Sequence, residues 1–259
     1  MDVQLNHTIE DNCILDDAQE AFRPGRSTKR QLTKIHSILH HQRKKQESLS
    51  VILYLDIKNA FNAINHQAIF SIFEACGFPE ADIALLRRMY TGSFLVMKNK
   101  FGESAACMLS RGAMQGAQPS PRIYGVVFNP IQVLIRFLKR TSKWTTTASD
   151  GIDPSGASVF ADDTAAKTDG PDAVPAMSHL VQAVCPVLEW TGQLVQSKKS
   201  KIVGVDMKTG KSIATDSINL NGEPFAVLSP NEPHKHLGVR MTMLGEFSAE
   251  KEHVRSEMR

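Results

Sequence analysis

A chain of 259 residues, 42% hydrophobic and 22% charged, has the composition of an ordinary globular protein and can bury a real core, as one large domain or two intimate subdomains. Its formal net charge of +3 is only mildly basic, which permits a nucleic-acid partner without demanding one. No stretch approaches ~18 uninterrupted apolar residues, no charged-then-apolar leader opens the chain, and Cys13, Cys76, Cys107 and Cys185 are too scattered for a disulfide framework or a zinc site, so the expectation is a reduced intracellular protein, in nucleus or cytoplasm, with no membrane span.

In chain order, Ser27 or Thr28 caps a helix carrying Leu32, Ile35, Ile38 and Leu39 on one face. A strand follows over residues 51–56. Asn65 caps a helix over Ile69, Ile72 and Phe73 that stops at Gly77, and Pro79 opens the next, with Ile83, Leu86 and Met89 inward. Residues 94–97 and 105–109 read as paired strands. Pro119 and Pro121 suit the first turn of a helix that continues through Val126, Val133, Ile135 and Leu138. Ala157, Val159 and Phe160, then Thr164, Ala165 and Ala166, permit a hairpin around two acids. Residues 173–188 hold helical spacing, with Pro186 bending the last turn. Asn221-Gly222 signals a hairpin, and residues 236–240 read as a last short strand. Strands mix with helices without regular βαβ alternation, which is an α+β pattern.

Basic side chains gather at Arg23, Arg26, Lys29 and Arg30, continuing to Arg43, Lys44 and Lys45, again at Arg136, Lys139, Arg140 and Lys143, and at Lys198, Lys199 and Lys201. One such cluster is ordinarily a solvated face, whereas together they can track a phosphate backbone. The acids are more informative. The apolar run Val51-Ile52-Leu53-Tyr54-Leu55 ends on Asp56, and Phe160-Ala161 leads into Asp162-Asp163. Asp commonly ends strands and caps helices, and successive strand residues face opposite ways, so Asp162 and Asp163 reach one site only if the chain turns there. Neighbouring carboxylates repel unless a cation neutralises them. Mg²⁺, with Mn²⁺ as a substitute, suits an all-oxygen site completed by waters and phosphates, and phosphoryl or nucleotidyl transfer is the chemistry that follows.

Further segments carry a resemblance. Gln19-Glu20-Ala21-Phe22-Arg23-Pro24-Gly25-Arg26-Ser27-Thr28, Tyr54-Leu55-Asp56-Ile57-Lys58-Asn59-Ala60-Phe61-Asn62-Ala63-Ile64, Ser110-Arg111-Gly112-Ala113-Met114-Gln115-Gly116-Ala117-Gln118-Pro119-Ser120-Pro121, Phe160-Ala161-Asp162-Asp163, the stretch from Glu189-Trp190 to Lys198-Lys199-Ser200, and His236-Leu237-Gly238-Val239 resemble, in order and spacing, the motif series of a non-LTR retrotransposon reverse transcriptase. The likeness spans residues 18–242. It implies a palm, a small antiparallel sheet backed by helices, over residues 51–242 with inserted fingers elements and a primer-grip region. Residues 1–50 would be a partial fingers segment and 243–259 the start of a truncated C-terminal helix, with no thumb, in a fragment of a longer protein.

By the same resemblance, Asp56, Asp162 and Asp163 would bind two Mg²⁺ ions, Asp163 as the weaker ligand, and Lys199 would act as a general acid on pyrophosphate. Ile57, Lys58, Ala60, Phe61, Gln115 and Gly116 would form the nucleotide pocket, with Phe61 beneath the sugar and excluding a 2′-hydroxyl. Arg23, Arg26, Leu237 and Gly238 would contact template or primer. The implied partners are an RNA template, a DNA primer and dNTPs, with oligomeric state left open. The chain departs from the pattern at Ala21, where glycine is usual, at Asn62, where many relatives carry an acid, at Gln118-Pro119, where Pro-Leu is usual, and at Gln196-Ser197, where the fourth motif normally starts with Asn. The competing expectations are a catalytically inactive nucleic-acid-binding remnant and a metal-dependent phosphohydrolase. The Arg-Gly-x-x-Gln-Gly segment counts against the phosphohydrolase.

Overall fold

The computed structural model describes residues 2–45, 49–114, 116–141 and 157–258; Gln115 and Lys143 lie outside them. In chain order the elements are α1 (Asp2–Asp11), α2 (Thr28–Lys45), β1 (Leu49–Leu55), β2 (Ile57–Lys58), α3 (Ala60–Ala63), α4 (His66–Ala75), α5 (Glu80–Tyr90), β3 (Phe94–Leu95), β4 (Lys98–Asn99), β5 (Gly102–Glu103), β6 (Cys107–Met108), α6 (Ser120–Thr141), β7 (Ala157–Phe160) and β8 (Asp163–Asp169). They continue with α7 (Ala173–Trp190), β9 (Leu194–Val195), β10 (Lys201–Asp206), β11 (Asn219–Leu220), β12 (Glu223–Pro224), β13 (Ala226–Val227), β14 (His234–His236), β15 (Val239–Met241) and α8 (Ser248–Glu257). This is the mixed α+β class read from the sequence.

A five-stranded sheet in the order β13-β10-β1-β8-β7 organises the molecule. β1 lies at its centre, antiparallel to both β8 and β10. Its period of two divides the core. Val51, Leu53 and Leu55 pack into one cluster with Ile69 and Phe73 of α4, Tyr124 and Phe128 of α6, and Leu188 of α7, while Ile52 and Tyr54 join Ile35 and Leu39 of α2 and Met241 of β15 in another. A strand buried on both faces reads as a continuous apolar run for this reason.

Local chemistry sets several boundaries. Ser27 Oγ accepts from Arg30 N at 3.2 Å at the start of α2, and Asn65 Oδ1 accepts from Gln67 N at 2.9 Å at the start of α4, both in the manner of N-caps. Asn221 (φ 50°) and Gly222 (φ 85°) form the two-residue turn between β11 and β12. The segment at 236–240 departs from the expected single strand. Leu237 (φ 51°) and Gly238 (φ 86°) both enter the left-handed region, so the chain folds back there and β14 pairs with β15. The paired strands at 94–109 do form, as β3 with β6 and β4 with β5, yet all eight residues are exposed.

Before α2, residues 15–20 run along the free edge of β7. Val159 N donates to Ala18 O and Glu20 N to Val159 O. Asp16 anchors this segment to α6 by accepting from Arg136 at 2.8 Å. Among the described residues, no helix is long and apolar enough to cross a membrane.

Candidate active site

The sheet delivers the three acids to one end. β7 and β8 form a tight hairpin in which Phe160 pairs with Asp163, leaving Ala161 and Asp162 as the two turn residues. Ala161 holds φ 58°, an unfavourable conformation for a residue with a Cβ. Its N–H is held by Gln19 Oε1 at 3.0 Å, and the same oxygen also accepts from Ala21 N. Leu55 of β1 pairs with Thr164 of β8, so one step further along that register Asp56 faces Asp163.

Asp56 is latched by the loop ahead of β10. Its N–H donates to Ser200 Oγ at 3.0 Å, its carbonyl accepts from Gln196 N at 2.9 Å, and its Oδ2 accepts from Gln196 Nε2 at 2.6 Å. Asp56, Asp163 and Lys199 line one open polar cavity of about 180 Å³ with Tyr54, Thr164 and residues 234–236. Burial pushes the Asp162 carboxyl above the usual carboxylate range, and the charge of Asp56 adds to this. Asp163 is raised by burial, then by Asp162 and Asp56. The acids therefore sense one another, as mutually repelling carboxylates should.

Phe61 follows Asp56 by five residues, in α3. Its ring stacks on Tyr124 with centroids 4.2 Å apart and meets Phe22 edge-on at 6.3 Å. Tyr124 is fully buried, accepts from Gln193 Nε2 at 2.9 Å, and is held well above the ordinary phenol range by burial first and by Asp162 second. The ring pair thus links Phe61 to the hairpin acids. Backbone bonds fix the level of this corner: Ala113 N donates to Phe61 O and Gly112 N to Ile64 O. A Cβ on Gly112 would stand 2.9 Å from Asn62 O, and one on Gly192 would stand 2.4 Å from Ala63 O. No role at the site was read from the sequence for Gln19, Tyr124, Gly192 or Gln193. Only a glycine following the end of a helix could have signalled any of them.

Ile57 and Ala60 are buried, whereas Lys58 and Gly116 are exposed. Ile57 and Lys58 pair with Val195 and Leu194. Gly116 takes φ 86° with open space around it. Leu237 lines a cleft between the β14–β15 turn and α2, and Gly238 is exposed beside it. Arg23 was expected to contact template or primer. Its guanidinium is turned inward, bonded twice to Glu10 at 3.0 Å and to the Asp16 carbonyl, because α1 brings an acid to it. Its side chain is only 7% exposed. Arg26 is similarly engaged with Asp17 and Glu20.

Among the described residues, no group of three or more His, Cys, Asp and Glu side chains stands ready to hold a metal. Mg²⁺ needs only one or two protein carboxylates, since waters and substrate phosphates complete its shell. Part-buried Asp56 and Asp162 with the exposed Asp163, mutually repelling oxygen donors, fit that demand. Because the Asp163 carboxyl is raised in the folded state, its ionised form opposes folding. That penalty grows as pH rises above the unfolded value of about 3.9 and is complete above the folded one. Asp163→Asn should therefore raise the thermal midpoint of the metal-free protein at neutral pH. A lower midpoint by calorimetry would show that the carboxylate stabilises the fold.

Residues 2–241 match the family described as reverse transcriptase (RNA-dependent DNA polymerase). The chain is 28% identical over 113 residues to the Transposon TX1 uncharacterized 149 kDa protein of Xenopus laevis, covering 44% of this chain and 9% of that protein. It is 22% identical over 233 residues to the retrovirus-related Pol polyprotein from type-2 retrotransposable element R2DM of Drosophila melanogaster, covering 89% of this chain and 21% of that one. Among solved structures, apo telomerase from Candida tropicalis truncated from its C-terminal domain superposes with a TM-score of 0.60 at 12% identity, over 94% of this chain and 42% of that chain. Telomerase of the same organism in complex with a fragment of telomeric RNA gives 0.56 at 11% identity, over 85% and 36%. The chain thus spans a small part of its relatives' length.

Proposed function

The chain belongs to the reverse transcriptase family, and from that premise we propose that it extends a DNA primer on an RNA template, transferring nucleotides from dNTPs to the primer 3′-hydroxyl. In this reading the five-stranded sheet with α4, α6 and α7 is the palm, residues 15–28 belong to the fingers, and the β14–β15 turn carries the primer grip. The observation that carries it is the register that sets Asp56 opposite the Asp162–Asp163 hairpin.

Asp56 and Asp162 would hold two Mg²⁺ ions, with Asp163 as the third carboxylate, and bound metal supplies a clamp on the attacking and leaving oxygens. The chain's own groups do the rest. The loop at 196–200 fixes Asp56, and the Gln19 side chain holds the strained turn that presents Asp162. Lys199, on the rim of the same cavity as Asp56 and Asp163, donates a proton toward the departing pyrophosphate. Phe61 supports the incoming sugar.

Mg²⁺-dependent addition of labelled dNTP to a primer annealed to RNA tests the proposal. Retention of the duplex without any incorporation would favour a binding remnant instead. Phe61→Ala should raise ribonucleotide incorporation relative to deoxyribonucleotide, measured as the ratio of the two kcat/KM values. An unchanged ratio in an active variant would assign Phe61 to packing against Tyr124 alone.

A further inference from the structure

The loop that latches Asp56 is itself held by further bonds. Ser200 holds the Asp56 N–H and is itself fully buried. The Gln196 backbone donates to the Asp56 carbonyl, and its own carbonyl accepts from Ser200 N at 2.8 Å and Lys199 N at 3.1 Å. Ser197 Oγ donates to Glu223 Oε2 at 2.5 Å, which pins the loop to the β11–β12 hairpin. From a backbone held at both ends, the Gln196 side-chain amide donates to Asp56 Oδ2 at 2.6 Å.

We propose that Gln196 is a positioning residue for Asp56, its amide fixing the carboxylate's rotation through Oδ2 so that Oδ1 faces a divalent cation. This rests on the reading of Asp56 as a metal ligand. Partners behind a ligand orient it and tune its basicity, and their loss typically weakens metal binding or activity about 10–100-fold. The reach of the side chain matters. Asparagine from the same backbone would be shorter by one methylene, about 1.5 Å, and would leave the carboxylate unheld. Gln196 stands where the resembled motif starts with Asn, so the reach that holds Asp56 comes with this departure.

The test is a Mn²⁺ titration of the full chain without substrate, read by water-proton relaxation, beside thermal melting. Gln196→Met keeps length and volume but has no donor, and Gln196→Asn keeps the donor but shortens the reach. Both are expected to weaken Mn²⁺ binding roughly tenfold or more, with melting midpoints close to that of the parent chain. Mn²⁺ affinity of Gln196→Met within about twofold of the parent would overturn the proposal, being well inside the effect expected of an outer partner. Loss of the fold in both variants would also overturn it, by making Gln196 a structural residue. Asp56→Asn separates the two levels: if the parent binds no Mn²⁺, or binds it no better than Asp56→Asn does, the metal-ligand reading itself fails.

Discussion

Asp162→Asn is expected to lower RNA-templated primer extension by at least about a thousandfold. Charge stabilisation by a bound metal is worth several kcal/mol in the transition state, and about 4 kcal/mol corresponds to three decades of rate. Asp162 sits in a hairpin turn at the sheet's end, and its carboxyl is held above its usual range by burial and by Asp56, so the amide should be tolerated by the fold. The control is Asp216→Asn, an exposed acid, which should leave extension unchanged. More than a tenth of the parent rate in a folded Asp162→Asn variant would remove Asp162 from the chemistry.

The second large effect concerns the backbone under the site. Gly192→Ala is expected to destabilise the protein by roughly 3–5 kcal/mol, combining left-handed strain with overpacking. At φ 88° a Cβ would press to 2.4 Å from Ala63 O and 3.0 Å from Asn65 N, backbone atoms of the turn joining α3 to α4. That turn is further tied to α7 by Asn65 N donating to Thr191 O at 2.8 Å. A thermal midpoint lower by about 10 °C follows for a domain of this size. Gly116→Ala is the comparator. It has the same sign of φ but open space around it, so only strain of about 1–2 kcal/mol applies. Equal shifts in the two variants would show that the close approach at Gly192 costs nothing.

Features encoded within a few residues were legible in the sequence. The Asn65 cap, the Asn221-Gly222 turn and the helix through Ile35 and Leu39 each carry their own chemistry. The hairpin around Asp162 was legible because small and apolar residues flank two acids that can meet one site only at a turn. Features that depend on distant partners were not. Helix α1 buries only Leu5 and Ile9, too few contacts to make a period, and it matters because Glu10 draws Arg23 inward. The β14–β15 turn was hidden because Leu237 takes a conformation usual for Gly or Asn. The strands at 94–97 and 105–109 were read as a pair, and Phe94 and Phe101 there are 64% and 87% exposed; local pattern specifies pairing but not what covers it. Gln196 read as a departure from a motif, and only the register of β1 with β8 and β10 brings its amide to Asp56.

A crystal structure of the chain with Mg²⁺, a dNTP and a primer annealed to RNA would decide whether Asp56 and Asp162 hold the metal. The expected result is an ion held by Asp56 and Asp162 at about 2.1 Å, with the Phe61 ring against the sugar and Gln196 still bonded to the other oxygen of Asp56. Carboxylates of Asp56 and Asp162 more than ~10 Å apart, too far for one pair of ions to bridge, or Mg²⁺ bound away from both, would contradict it.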